Sequence, residues 1–196
     1  MTRKFDFDKL NEQETGYIIG LFMGDGYSYY NENDRHYRVE FHLNFKKDLD
    51  ISYYLANLLR KVGLNFWTMK DKRGDGLKVY MNSKAFMFWI YENIALLNLK
   101  IEDLNYRLGL LSGFIDADGF VELGEIVLSQ KDIKTLELFK EVASIFDVDG
   151  KIWWNENKKS YGNWRLRIYT RFKYLPHNSI KVGRVYGCLS QRDYIL

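Results

Sequence analysis

Two stretches of this chain, GYIIGLFMGDGY at residues 16–27 and GLLSGFIDADGF at residues 109–120, follow one pattern. Gly16 lies opposite Gly109, Gly20 opposite Gly113, Gly24 opposite Ala117 and Asp25 opposite Asp118, always 93 residues apart. In both copies a small residue recurs every fourth position, then come Asp-Gly and an aromatic, Tyr27 or Phe120. A spacing of four marks one face of an α-helix. Glycine within a helix costs roughly 1 kcal/mol relative to alanine. Three of them in the first copy therefore imply a face that a second backbone approaches closely. The remaining positions, Ile18, Ile19, Leu21 and Phe22, and Leu110, Leu111, Phe114 and Ile115, are apolar nearly all round, as a buried helix requires.

The likeness continues beyond these helices. Lys47-Asp48 matches Lys131-Asp132, and the helical runs Leu49–Val62 and Ile133–Phe146 align at an offset of 84. The nine-residue difference falls between Tyr27 and Asn44, so the second copy has the shorter first hairpin, Phe120 to Gln130. Residues 37–44 alternate, with Tyr37, Val39, Phe41 and Leu43 on one face and Arg38, Glu40, His42 and Asn44 on the other, which predicts a half-buried strand. Gly63 ends the next helix. Residues 66–70 and 77–82 flank the turn residues 73–76, and Ala85–Leu97 reads as a helix. In the second half, residues 151–155 and 164–170 read as strands, with Leu166 and Ile168 on one face and Arg165, Arg167 and Tyr169 on the other. No clear third helix is legible between Lys173 and Leu196. The junction at residues 97–105 holds no Pro or Gly, so the expectation is two α+β halves, 1–100 and 101–196, packed together.

Composition sets broad limits. At 196 residues, 46% hydrophobic and 17% aromatic, the chain can bury a sizeable core. A single cysteine, Cys188, rules out a disulfide framework or a cysteine zinc site and suits a reducing compartment inside the cell. The three histidines, His36, His42 and His177, lack metal-ligand spacing. Apolar runs are too short to span a bilayer and residues 1–8 carry no signal-peptide pattern, so no membrane partner is expected. A net charge of +3 permits nucleic-acid binding without requiring it.

If the small-residue faces meet, Asp25 and Asp118 emerge together at one end of a pseudo-twofold pair of helices. Neighbouring carboxylates repel unless a cation neutralises them. Oxygen-only ligands favour Mg²⁺, and such a site suits phosphodiester hydrolysis. A pseudo-dyad with one acid per half also matches the twofold relation of the strands in a duplex.

LSGFIDADG at residues 111–119 resembles the LAGLIDADG signature at seven of nine positions, and IIGLFMGDG at 18–26 is a looser copy. The chain is thus similar to monomeric, two-motif LAGLIDADG homing endonucleases. The resemblance implies two pseudo-twofold-related αββαββ(α) halves packed through the motif helices, each with an antiparallel, saddle-shaped sheet on the DNA major groove. It implies an intron-homing, site-specific endonuclease that cuts both strands of a long, asymmetric, pseudo-palindromic DNA site. By the same resemblance the cuts would leave short 3′ overhangs and use Mg²⁺, with Mn²⁺ able to substitute. Asp25 and Asp118, with the adjacent Gly24 and Ala117, would hold the metal. Asn44 and Gln130 would be the polar residues near the attacking water, with Lys47 and Lys131 as basic partners and Lys46 and Lys100 as further candidates. Met23 and Asp116, at the sixth position, would not be catalytic, and Asp116 reads as a solvated or supporting acid. Candidate DNA contacts are Arg38, Glu40, His42, Lys70, Lys72, Arg73, Lys78, Lys158, Lys159, Arg165, Arg167 and Tyr169. The five tryptophans read mostly as core or sheet-edge residues. The competing expectations are a non-cutting nucleic-acid binder on the same scaffold, such as an intron RNA-splicing maturase, and a structural α+β domain with an accidental motif.

Overall fold

The computed structural model describes residues 5–31, 33, 35–72, 74–122, 124–144, 150–156, 162–169 and 179–186. The first half runs α1 (Glu12–Asp25), β1 (Gly26–Asn31), β2 (His36–Asn44), α2 (Leu49–Lys61), β3 (Trp67–Lys70), β4 (Gly76–Asn82), α3 (Lys84–Ala95) and the short α4 (Leu97–Lys100). The second runs α5 (Leu104–Asp118), β5 (Gly119–Glu122), β6 (Glu125–Gln130), α6 (Ile133–Ser144), β7 (Gly150–Asn155), β8 (Asn163–Tyr169) and α7 (Ile180–Tyr186). Each half carries one antiparallel four-stranded sheet, in the orders β1-β2-β4-β3 and β5-β6-β8-β7.

Both motif helices begin on side-chain caps. Asn11 and Glu14 form a reciprocal capping box on α1 (2.8 and 2.9 Å), and Asp103 Oδ1 accepts from Tyr106 N (2.9 Å) on α5. The helices then meet through their glycines. A Cβ added at Gly16 would collide with the Tyr106 carbonyl, at Gly20 with that of Leu110, at Gly109 with that of Gln13 and at Gly113 with that of Tyr17, all well under 3.0 Å. Close backbone approach, not propensity, therefore accounts for glycine here. Ile18, Ile19, Leu21, Leu110, Phe114 and Ile115 fill the surrounding core.

Strand alternation follows the pattern read from the sequence. Val39, Phe41, Leu43, Val79 and Met81 face inward in the first sheet, and Ile126, Leu128, Leu166 and Ile168 in the second. The amphipathic α2 buries Ile51, Leu55, Leu58 and Leu59. In the second half α6 buries Leu136, Phe139 and Val142, with Phe139 stacked 3.7 Å from Phe114. Each such side chain contributes about 1.5–3 kcal/mol on burial. Gly63, at φ +81°, turns the chain out of α2 where the sequence places its end.

Two readings need correction. The stretch without a legible third helix contains α7, seven residues whose start is capped by Ser179 Oγ accepting from Val182 N (3.2 Å). The helix read as Ala85–Leu97 is interrupted at Leu96, giving α3 and α4.

Candidate active site and nucleic-acid interface

Asp25 and Asp118 are the last residues of α1 and α5, where the two helices end side by side. The residues before them press together: a Cβ on Gly24 would run into the Ala117 Cβ and reach 3.1 Å from Asp118 Oδ2. Burial, then the charge of Asp118, then Asp48, push the Asp25 carboxyl up to about 7 against the pull of Lys181. Burial pushes Asp118 up to about 6, opposed by Lys181 and by a hydrogen bond from Gln130. Two half-buried acids that hold protons this strongly form a site that a cation would complete. Their donors are all oxygen, which fits a hard divalent cation. No cluster of three or more His, Cys, Asp or Glu is present among the described residues, so any cation would rest on this pair, main-chain oxygens and substrate.

Asp116 is not solvated. It is fully buried, and it accepts hydrogen bonds from Tyr17 Oη of α1 (2.9 Å), Ser179 Oγ (2.7 Å) and the backbone N–H groups of Ile180 and Lys181 (both 2.9 Å). Burial raises its carboxyl while these four donors pull it down. Asp116 thereby anchors the start of α7 to both motif helices. Lys181, the second residue of α7, thereby comes to lie beside the acids, and its Nζ donates to the carbonyls of Ala117 (2.9 Å) and Gly119 (3.1 Å). At the other end of α7, Arg184 pairs with Asp50 and approaches Asp48 (3.9 Å), reaching across to the first half. Sequence reasoning missed Lys181. The available signal was Ser179, a helix-capping residue type ahead of the apolar Ile180 and Val182.

The other candidates divide. Gln130, ending β6, donates its side-chain amide to Asp118 Oδ2. Asn44 is occupied elsewhere, its Oδ1 accepting from the N–H groups of Lys46 and Lys47 (both 3.0 Å). The strand register gives the reason. Gly26 pairs with Phe41 and its counterpart Gly119 with Leu128, which places buried Leu43, not Asn44, where Gln130 stands in the second half. Lys47 and Lys131 are exposed in the turns after β2 and β6. Lys46 pairs with Asp75 (3.1 Å), and Lys100 with Glu12 (3.9 Å) at the end of α1 remote from Asp25. The carbonyl of Ala117 is taken by Lys181, whereas Gly24 lies against Ala117 across the helix pair.

The outward face of the first sheet carries Arg38, Glu40 and His42 of β2 beside Lys78 and Tyr80 of β4. Exposed Tyr27 and Tyr29 flank them on β1, and Trp67 on edge strand β3 stacks on Tyr80 (5.8 Å). Lys70 sits over the Phe45 ring (3.8 Å), and Lys72 is exposed in the β3–β4 turn. On the second sheet Arg165 and Arg167 of β8 face outward. Arg167 pairs with Glu125 (3.3 Å) and lies over Trp153 (5.1 Å), while Arg165 Nε is buried without a hydrogen-bond partner among the described residues. Tyr169 ends β8, its side chain outside the described set. Arg73, Lys158 and Lys159 lie outside the described residues. No described helix is long and apolar enough to cross a membrane.

Comparison with known proteins extends this geometry. Residues 105–174 match the family model of the LAGLIDADG-like domain. An uncharacterized protein of Methanocaldococcus jannaschii is 30% identical over 159 residues, covering 80% of this chain. The chain spans little more than half of that relative, 57% of its length. Among solved structures, I-DmoI in complex with DNA and Ca superposes with a TM-score of 0.67 at 18% identity, covering 82% of this chain and 84% of that one. I-DmoI with DNA and Mn gives 0.65 at 17% identity, covering 80% and 89%. The homing endonuclease I-WcaI bound to its DNA recognition sequence gives 0.53 at 16% identity, covering 93% and 84%. At these identities the structural likeness establishes the fold, that of two LAGLIDADG halves in one chain. Residues 105–174 are thus similar to the LAGLIDADG-like domain, and the chain as a whole has the two-half LAGLIDADG fold.

Proposed function

We propose that the protein is a site-specific DNA endonuclease that hydrolyses one phosphodiester on each strand of a long, asymmetric duplex site, leaving short 3′ overhangs. The observation that carries this reading is the acid pair Asp25–Asp118 at the joint end of α1 and α5, both raised in pKa by burial and Asp25 further by the charge of Asp118. A divalent cation, Mg²⁺ or Mn²⁺, would neutralise the pair and lower the pKa of a bound water. Asp25 and Asp118 would hold it through their carboxylates. Gln130 orients Asp118 through its amide. Lys181 supplies positive charge beside both acids and can stabilise the charge that builds on a phosphate under attack. The outward faces of the two sheets hold the duplex, Arg165 and Arg38 against base edges and Lys72 against phosphates. The solved relatives in complex with DNA and with Ca or Mn support the choice of ligand and metal class. With both acids in one chain, the working unit is a monomer in a DNA-containing compartment, and intron homing is the biological setting.

The test is selection of cleaved products from a random duplex library with Mg²⁺, in parallel with EDTA and with Asp118→Asn. Defined ends of constant stagger, dependent on both metal and acid, are expected. A duplex bound tightly and left uncut by the wild type would instead favour the non-cutting binder.

A further inference from the structure

Glu40 stands in the middle of the outward face of the first sheet, yet it is only 6% exposed. Its Oε2 accepts from Lys78 Nζ at 3.0 Å and bonds His42 Nε2 at 2.9 Å, and its Oε1 lies 3.5 Å from Arg38 Nη1. Burial alone would raise its pKa, but the hydrogen bonds and charges of Lys78 and His42 outweigh that and hold it below the usual carboxylate range. Glu40 is therefore an anion at neutral pH. Arg38 is fixed twice more, by Nε donating to Asn82 Oδ1 (3.3 Å) and by its guanidinium lying 5.0 Å over the Tyr80 ring. The second half is built differently at this place. By the register just described, Val127 occupies the place of Glu40, and Arg165 and Arg167 take those of Lys78 and Tyr80, opposite Ser129 and Val127.

A carboxylate on a face meant for a polyanion opposes binding unless its charge does something else. We propose that Glu40 is a positioning residue for sequence discrimination: it holds Arg38 and Lys78 in one geometry for base edges and cancels part of their pull on phosphates. The inference rests on the DNA-facing reading of this sheet. A bidentate contact to a base needs its donors in a fixed place, and long cationic side chains lose rotamer freedom when they bind unless already ordered. Sequence-independent attraction, by contrast, grows with the number of unpaired cations. Glu40 thus trades general affinity for selectivity in the first half; in the second, Val127 stands in its place and Arg167 pairs with Glu125, at the position that matches Arg38.

The experiment binds a random-sequence duplex pool to wild type, Glu40→Gln and Glu40→Asp in Ca²⁺ and sequences the retained fraction at several salt concentrations. Glu40→Gln is expected to retain the whole pool more tightly and to steepen the logarithmic salt dependence by about one unit. It should also flatten base preference about tenfold at one or two neighbouring positions. Glu40→Asp keeps the charge but falls short of the cations, so it should flatten the same positions without steepening the salt dependence. An unchanged preference profile in Glu40→Gln would overturn the proposal, as would a loss spread evenly over all positions with a lowered melting temperature. A switch to a different preferred base at one position, without a change in salt dependence, would make Glu40 a direct contact and also overturn it. If the wild type retains no duplex at all, the DNA reading itself fails, which is distinct from a failure of Glu40 alone.

Discussion

Without a cation, the acid pair should make the protein less stable as pH rises, and Asp25→Asn should relieve much of that cost. The Asp25 carboxyl moves from 3.8 to about 7 on folding. Between about pH 4 and pH 7 the folded chain keeps this proton while the unfolded chain has lost it. The folded state then binds more protons, and stability falls as pH increases through that window. A rise of about three units at about 1.4 kcal/mol each is about 4 kcal/mol at pH 8. Asp25 is partly exposed, and screening by solvent cuts this to about 2 kcal/mol. In a chain of this size that is about 4–8 °C in melting temperature. Thermal melts in EDTA would measure it. Asp25→Asn should melt higher than wild type by that amount at pH 8 and by roughly a third of it at pH 5. Mg²⁺ should raise the wild-type midpoint at pH 8 and leave that of the variant nearly unmoved. A variant that melts no higher than wild type at pH 8, or is shifted equally at both pH values, would refute the idea that burial and mutual repulsion dominate this pair.

Four further outcomes are expected. Asp25→Asn or Asp118→Asn should abolish double-strand cleavage while leaving Ca²⁺-supported duplex binding within a few-fold of wild type; near-normal cutting by either would remove the acid from the metal site. Gly20→Ala, whose methyl would overlap the Leu110 carbonyl, should cost about 3 kcal/mol or more, read as a fall in melting temperature; an unchanged melt would mean the helices can part freely. Lys181→Met should slow hydrolysis about 10²–10³-fold with duplex affinity retained. Because Gln130 has Leu43 as its counterpart, nicked plasmid should accumulate ahead of linear product, and equal loss on both strands would contradict the unequal build of the two centres.

The parts of the fold set by local periodicity were legible in the sequence. Small residues every fourth position placed the α1–α5 contact, and strict alternation placed the inward residues of β2 and β8. Asp25 and Asp118 could be paired because a constant offset puts them at matching helix ends. What escaped depends on contacts distant in sequence. Lys181 acts on carbonyls more than sixty residues earlier, and its helix is too short to show a period. Asp116 reads from the sequence as either a solvated or a supporting acid, and only Tyr17, Ser179 and the start of α7 decide for the buried, supporting role. Asn44 resembled Gln130 in chemistry and place along the chain, but a one-residue difference where the strands end turns the equivalent position over to Leu43.

At Gly16, Gly20, Gly109 and Gly113 the two motif helices touch main chain to main chain. The gap between the two acids is consequently a backbone dimension, a ruler that no side chain on the sheets can lengthen. If the sheets hold the duplex as proposed, substitutions at Arg38, Arg165 or their neighbours change which duplex is held without touching this ruler. The stagger between the two cuts should therefore stay constant from a preferred site to its most degenerate variants, even as the rate of cutting falls.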